Sequence, residues 1–321
     1  MLSIARHALF LMVLCFPASD TFAQDYPNKP IRFITGYTPG SASDILARML
    51  GQKLSEAWAQ QVVVDNRPGA GGTIASATAA KTLPDGYTIL LIAANYVICA
   101  TLYPNLPFDP VKDFTAVGQV STSPLVLVVI PSLAVKSAAE FIALAKARPG
   151  QLSYGSSGNG STPHLAVELL KTVAGLDIVH VPYKGIAPAF PDLLSGNIQM
   201  MFATIAPVAP LIKSGRLKAL AVSSATRSIA APDIPSLSET LPGFEAATWY
   251  GVLAPAGTPE KIVKKLNTAL LKIPQIPDAR KWMIDAGHEP VGSNSHEFAA
   301  LVRSEIVKWA GVVKTSGARP D

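Results

Sequence analysis

SYGSSGNGSTPH, residues 153–164, is the stretch on which the rest of the chain turns. Ahead of it, 151–155 reads as a short strand. Behind it, Leu165, Leu169, Leu170 and Val173 recur at helical spacing and form one apolar stripe. Thr162-Pro163 marks the helix start, because a proline there gives up only an N–H that has no partner in the first turn. The loop between strand and helix holds glycines and small hydroxyls, and it brings backbone N–H groups to a helix N-terminus, which favours an anion. It lacks the Gly-Lys-Ser/Thr ending of a nucleotide loop and the third glycine of a dinucleotide fingerprint. A strand, a small-residue turn and a capped helix recur elsewhere in the chain, so the expected fold class is α/β.

The totals narrow the function. The chain has 321 residues and a formal net charge of +5, spread without any long basic run, so nucleic acid is not an expected partner. The surplus charge does favour small anions. Five histidines are scattered without metal-ligand spacing, and neither a metal nor a cofactor is expected. Residues 1–23 read as a cleaved export signal: Arg6 is its positive end, 8–16 its short apolar run, and Thr21-Phe22-Ala23 its small-residue cleavage site. The expected location is therefore the periplasm, with Cys99 the single cysteine of the mature chain and no intrachain disulfide.

From Pro30 onward, strand, loop and helix repeat. Strands are expected at 31–35, 62–64 and 87–93, with helices opening at Ser41 and Thr73. Ser41 and Asp44 resemble a capping box. Around 117–130 two apolar runs follow one another with only Ser121-Thr122-Ser123-Pro124 between them, which places a crossing between two lobes. A second series runs through a helix at 137–147, strands at 178–181, 198–202 and 218–222, and a helix near 188–194. The end is helical at 261–272, 278–286 and 295–313. The expected division is 24–121 for the first part of lobe 1, 122–248 for lobe 2 and 249–321 for the second part of lobe 1. Both lobes aim strand ends and helix N-termini at a shared cleft. Tyr37, Thr38, Gly40, Ser41, Ser43 and Asp44 form one mouth of it; Ser157, Gly158, Asn159, Gly160, Ser161 and His164 form the other. Ala94 and Asn95, Tyr183-Lys184-Gly185, and Ala203-Thr204 stand at strand ends beside them.

Several runs, YPNKPIRFI at 26, VVVDNRPGAGG at 62, LPDGYTILL at 83, LPFDPVKDF at 106, SSGNGSTPHLA at 156, DIVHVPYKG at 177 and WYGVLAPAGTP at 249, resemble the extracytoplasmic solute receptors of the tripartite tricarboxylate transporter family, also called Bug proteins. The resemblance is collinear from about residue 26 to the C-terminus. It implies a two-lobed periplasmic binding protein of type II. Such a protein acts as a monomer, closes on a small organic carboxylate and passes it to membrane permease subunits. It also implies that one carboxylate sits on the first loop, partly through water, and that the Ser/Gly-rich loop holds the opposite end. The chain departs from the family pattern at Gly40-Ser41, at Ala93-Ala94-Asn95 and at Ala203-Thr204, where an Asp-Asn pair is common. The last departure leads us to expect a ligand without an ammonium group.

Individual residues keep two readings at this level. Asp44 either caps its own helix or meets the ligand. His164 either donates to a carboxylate or bonds the loop before it, and Lys184 is either a cleft cation or an exposed lysine. Arg67 is expected to bond loop carbonyls, and Trp249 and Tyr250 to pack at the hinge or line the pocket. A periplasmic sensor module is the rival to a transport receptor. A hydrolase is the weaker rival, since the Gly-x-Ser-x-Gly elbow is absent and no acid is placed to orient His164.

Overall fold

The computed structural model describes residues 26–319, and the export signal expected at 1–23 lies outside the described residues. In chain order the elements are β1 (Ile31–Thr35), α1 (Ala42–Trp58), β2 (Val62–Asn66), α2 (Thr73–Ala80), β3 (Thr88–Ala93), α3 (Asn95–Leu102) and β4 (Phe114–Ser123). Then come β5 (Leu125–Val129), α4 (Ala138–Ala147), β6 (Ser153–Ser156), α5 (Thr162–Ala174), β7 (Val179–Pro182), α6 (Ala189–Ser195), β8 (Met200–Thr204), α7 (Ile205–Lys213) and β9 (Lys218–Val222). The chain ends with β10 (Thr248–Pro255), α8 (Glu260–Lys272), α9 (Pro277–Asp285), β11 (Glu289–Pro290) and α10 (Ser295–Ser316).

These strands make two mixed sheets flanked by helices, the α/β class expected. The first has the order β11-β4-β10-β3-β1-β2, and the second β7-β6-β8-β5-β9. Within the first, β1 runs parallel to β2 and β3, because α1 and α2 carry the chain back across the sheet each time. Strand β10 enters antiparallel between β3 and β4. In the second, β6 is parallel to β7 and β8, while β5 is antiparallel to β8 and β9. The apolar run read at 87–93 as a buried strand is one: from Ile89 to Ala93 it is covered on both faces.

The chain passes from the first sheet to the second at Pro124 and returns between β9 and β10. Both passages meet at Ser223, which is fully buried. Its Oγ accepts from Leu125 N (2.9 Å), its N–H donates to Leu125 O (2.8 Å), and its carbonyl accepts from Ala246 N (2.9 Å). One apolar cluster runs through both sheets, holding Ile34 and Leu90 of the first together with Leu127 and Phe202 of the second. Helix α10 packs on α3 and β4 on one side and on α5 on the other. That second contact explains a difference from the sequence reading of α5. The helix is covered from two directions, so Val167 and Ala174 join Leu165 and Leu170 in the core, while Val173 is 49 % exposed.

Candidate functional site

Between the sheets lies a cleft of about 430 Å³, walled by residues from both. The first sheet contributes the loop after β1, the start of α3 and the start of β10. The second contributes the turn before α5, the end of β8 and the turn after β7. Strand C-terminal ends and helix starts therefore converge on the same space.

The loop after β1 is shaped by close approach. Gly36 passes so near the Gly71-Gly72 turn that a Cβ on it would sit 2.6 Å from Gly72 Cα. Ser41 caps α1, its Oγ accepting from Asp44 N at 3.3 Å. Asp44 does not complete a capping box with Ser41. One of its oxygens accepts from Gly40 N (2.8 Å) and Arg48 Nε (3.1 Å), the other from Asn66 Nδ2 (2.8 Å). Burial by itself raises the Asp44 pKa, but Arg48, the Gly40 N–H and Asn66 together hold it below the usual carboxylate value. Asp44 is thus a structural anion, and it does not line the cleft. Tyr37 and Ser43 do. Tyr37 donates to Asn95 Oδ1, and Asn95 Nδ2 donates to Gly71 O at 2.7 Å. Burial drives the Tyr37 hydroxyl well above its ordinary pKa, so it stays protonated.

On the other side the Ser/Gly-rich turn is held by its own bonds. Gly158 N donates to Ser156 Oγ (3.1 Å), Ser161 N to Gly158 O (3.2 Å), and Gly160 N to His164 Nδ1 (3.0 Å). Gly160 takes φ +69°, the left-handed region that glycine enters without strain. A Cβ there would also lie 2.4 Å from Leu102 Cδ2, so this turn touches α3 across the cleft. His164 is the anchor behind the turn. Its ring stacks on His180 (4.0 Å between centroids), and His180 stacks on Tyr154 (4.8 Å) and shares a 2.7 Å bond with Ser156 Oγ. Burial first, then the neighbouring His180 and Lys171 charges, push the His164 pKa down to about 3. The ring is neutral, and its Nδ1 lone pair is occupied by Gly160.

Among the sequence-expected residues, the cleft brings together Tyr37, Ser43, Asn95, Ser157, Asn159, Gly160, Ser161, Ala203 and Thr204. Thr38, Gly40, Ser41, Asp44, Ala94, Gly158, His164, Tyr183, Lys184 and Gly185 are outside the lining. Lys184 is exposed, and Tyr183 turns its hydroxyl to Asp192 (2.6 Å); from that turn it is Ile186 that reaches the cleft. Arg67 pairs with the Asp65 carboxylate rather than with carbonyls. Trp249 packs on Phe298, while Tyr250 lines the cleft. The sequence reading did not find Cys99, Leu102 and Tyr103, Leu125 at the start of β5, or Thr248. Burial pushes the Cys99 thiol up to about 12, which keeps it protonated and unreactive.

The hydroxyls of Ser157, Thr204 and Thr248 line the cleft and bond to no other described residue. No lining residue is charged. A wider groove of about 770 Å³ lies apart from the cleft along α8 and α10, with Glu260, Lys264 and Arg303 on its walls. No group of three or more His, Cys, Asp or Glu is arranged to hold a metal among the described residues.

A family model described as "Tripartite tricarboxylate transporter family receptor" matches residues 46–318. Protein BugT of Bordetella pertussis is 37 % identical over 305 residues, covering 94 % of each chain. Among solved structures, R. palustris Rpa4515 with adipate is 36 % identical and covers 92 % of this chain and 100 % of its own, at a TM-score of 0.79. MatC from Rhodopseudomonas palustris with bound malate is 30 % identical, covering 90 % and 100 %, at 0.74. The likeness takes in both sheets and both sides of the cleft, and on it the chain belongs to the tripartite tricarboxylate transporter receptors.

Proposed function

We propose that this chain is a periplasmic receptor that captures a small organic carboxylate between its two sheets and delivers it to the permease subunits of a tripartite tricarboxylate-type transporter. The observation that carries this reading is the cleft itself: about 430 Å³, fed by turns from both sheets, in the fold of receptors solved with adipate and with malate. The first sheet with its helices acts as lobe 1 (24–121 and 249–321), and the second as lobe 2 (122–248). Residues 1–23 direct export.

The chemistry differs in one respect from a simple helix-mouth anion site. The N–H groups of Gly158, Gly160 and Ser161 already serve the turn, so they shape the site and leave the direct hydrogen bonds to the Ser157, Thr204 and Thr248 hydroxyls and the first turn of α5. The positive end of α5 adds a favourable field at that place. Ligand bound between the lobes closes them by rotation at the two crossings, and nothing in the ligand is made or broken. Small-angle scattering on refolded, ligand-free protein, with a tight carboxylate found by thermal shift, is expected to give a smaller radius of gyration at saturation. An unchanged radius, or chemical turnover of the ligand, would sink the reading.

A further inference from the structure

The cleft lining combines unpaired hydroxyls with apolar surface. Among its polar groups are the hydroxyls of Ser157, Thr204 and Thr248, which have no other partner among the described residues. Apart from Thr248 of β10, the first sheet's side presents Tyr37 bonded to Asn95 and Asn95 bonded to Gly71. That side therefore offers the ligand mainly ring, thiol and methyl surface. Leu102, Leu125 and Ile186 add apolar surface, and Ala203 adds a methyl.

We infer that the ligand is a carboxylate with an apolar body, an aliphatic chain or an aromatic ring, bearing neither an ammonium group nor added hydroxyls. This rests on the carboxylate reading above and narrows it. An ammonium brought into this cleft meets no acidic side chain, because none lines it and Asp44 has both oxygens engaged by Gly40, Arg48 and Asn66. A bare ammonium moved out of water without a partner is heavily penalised. The same holds for the second and third carboxylates of a citrate-like acid, for which the lining supplies no cation. A ligand hydroxyl against Leu102, Leu125 or Ile186 loses its hydrogen bonds to water and gains none. A hydrocarbon body in that place instead buries apolar surface on both partners.

Calorimetry on the refolded, ligand-free mature chain tests this with two sets of probes. Benzoate, hexanoate and octanoate form the apolar set; malate, citrate and glutamate form the polar set. The best apolar probe is expected to bind at least about tenfold more tightly than the best polar one, the scale set by a methylene or two in an apolar pocket. Ile186 is half-buried on a turn, so Ile186→Asn keeps the core intact, as its thermal midpoint will report. The variant is expected to bring the two sets within about threefold by weakening the apolar one. Malate, citrate or glutamate binding as tightly as the apolar set overturns the inference and leaves the carboxylate reading standing. A folded Ile186→Asn with an unchanged gap overturns it as well. If neither set binds, the carboxylate reading falls and the inference with it.

Discussion

The single residue that most shapes the site is His164, which the ligand need not touch. Its neutral ring accepts the Gly160 N–H at 3.0 Å and stacks on His180, so it fixes the turn from behind. A buried neutral histidine makes stability depend on pH. The folded pKa of His164 lies near 3 and that of His288, lowered by burial, near 4, both below the ordinary 6.5. The unfolded chain thus takes up protons first. The stabilisation is fully present above about pH 6.5 and is lost as the pH falls toward the folded values. Between pH 7 and pH 5 each ring is expected to remove about 2 kcal/mol. Urea melts at the two pH values check this, and His164→Leu with His288→Leu should flatten the dependence. A wild-type midpoint that does not move over this range would falsify the neutral assignment.

At the scale of elements, α10 is the strap that the C-terminal sequence supplies. Glu305 is 8 % exposed and takes three donors: Trp249 Nε1 from β10 at 3.1 Å, Trp309 Nε1 at 2.8 Å and Lys308 Nζ at 2.8 Å. Close below, Phe298 sits over Gly251, where a Cβ would come within 2.0 Å of its ring. Glu305→Ala leaves two indole N–H groups without an acceptor in the core, so we expect a loss of about 2–4 kcal/mol. Chemical denaturation monitored by tryptophan fluorescence measures it directly. Elements of this kind were legible where they carry a period or a cap. Helix α1 begins at the Ser41 cap and α5 at the Thr162-Pro163 start read from the sequence, α4 falls within the expected 137–147, and α8 shows its amphipathic stripe. Helix α3 was not legible: Tyr96, Val97, Ile98, Cys99 and Leu102 are all buried, so the segment is apolar all round and has no face to read. Helix α7 was hidden by Pro207 and Pro210, which local preference would keep out of a helix. The site divided in the same way. The glycines and serines of the loop before α5 announce a turn, whereas Leu102, Leu125 and Ile186 look like ordinary core residues until packing brings them to the cleft.

For the whole molecule, the two sheets share one apolar cluster and are strapped by a helix that contacts both halves. Each half also has an apolar cluster of its own, yet losing either half opens the shared one. Heating or urea is therefore expected to unfold the chain in a single transition, with far-ultraviolet circular dichroism and tryptophan fluorescence coincident. Two separated transitions would mean that the sheets fold independently and that the shared cluster contributes little. The uncharged lining of the cleft has a further consequence at this scale. Dissolved ions weaken attraction between exposed opposite charges, and at 0.15 M the reach of such attraction is only about 8 Å. If the proposed grip by hydroxyl bonds and apolar contact holds, the lining forms no ion pair for salt to screen. Capture by this receptor should hold nearly the same affinity in fresh and in brackish surroundings, and only the rate of encounter, guided by the positive charge of the whole chain, should fall as salinity rises.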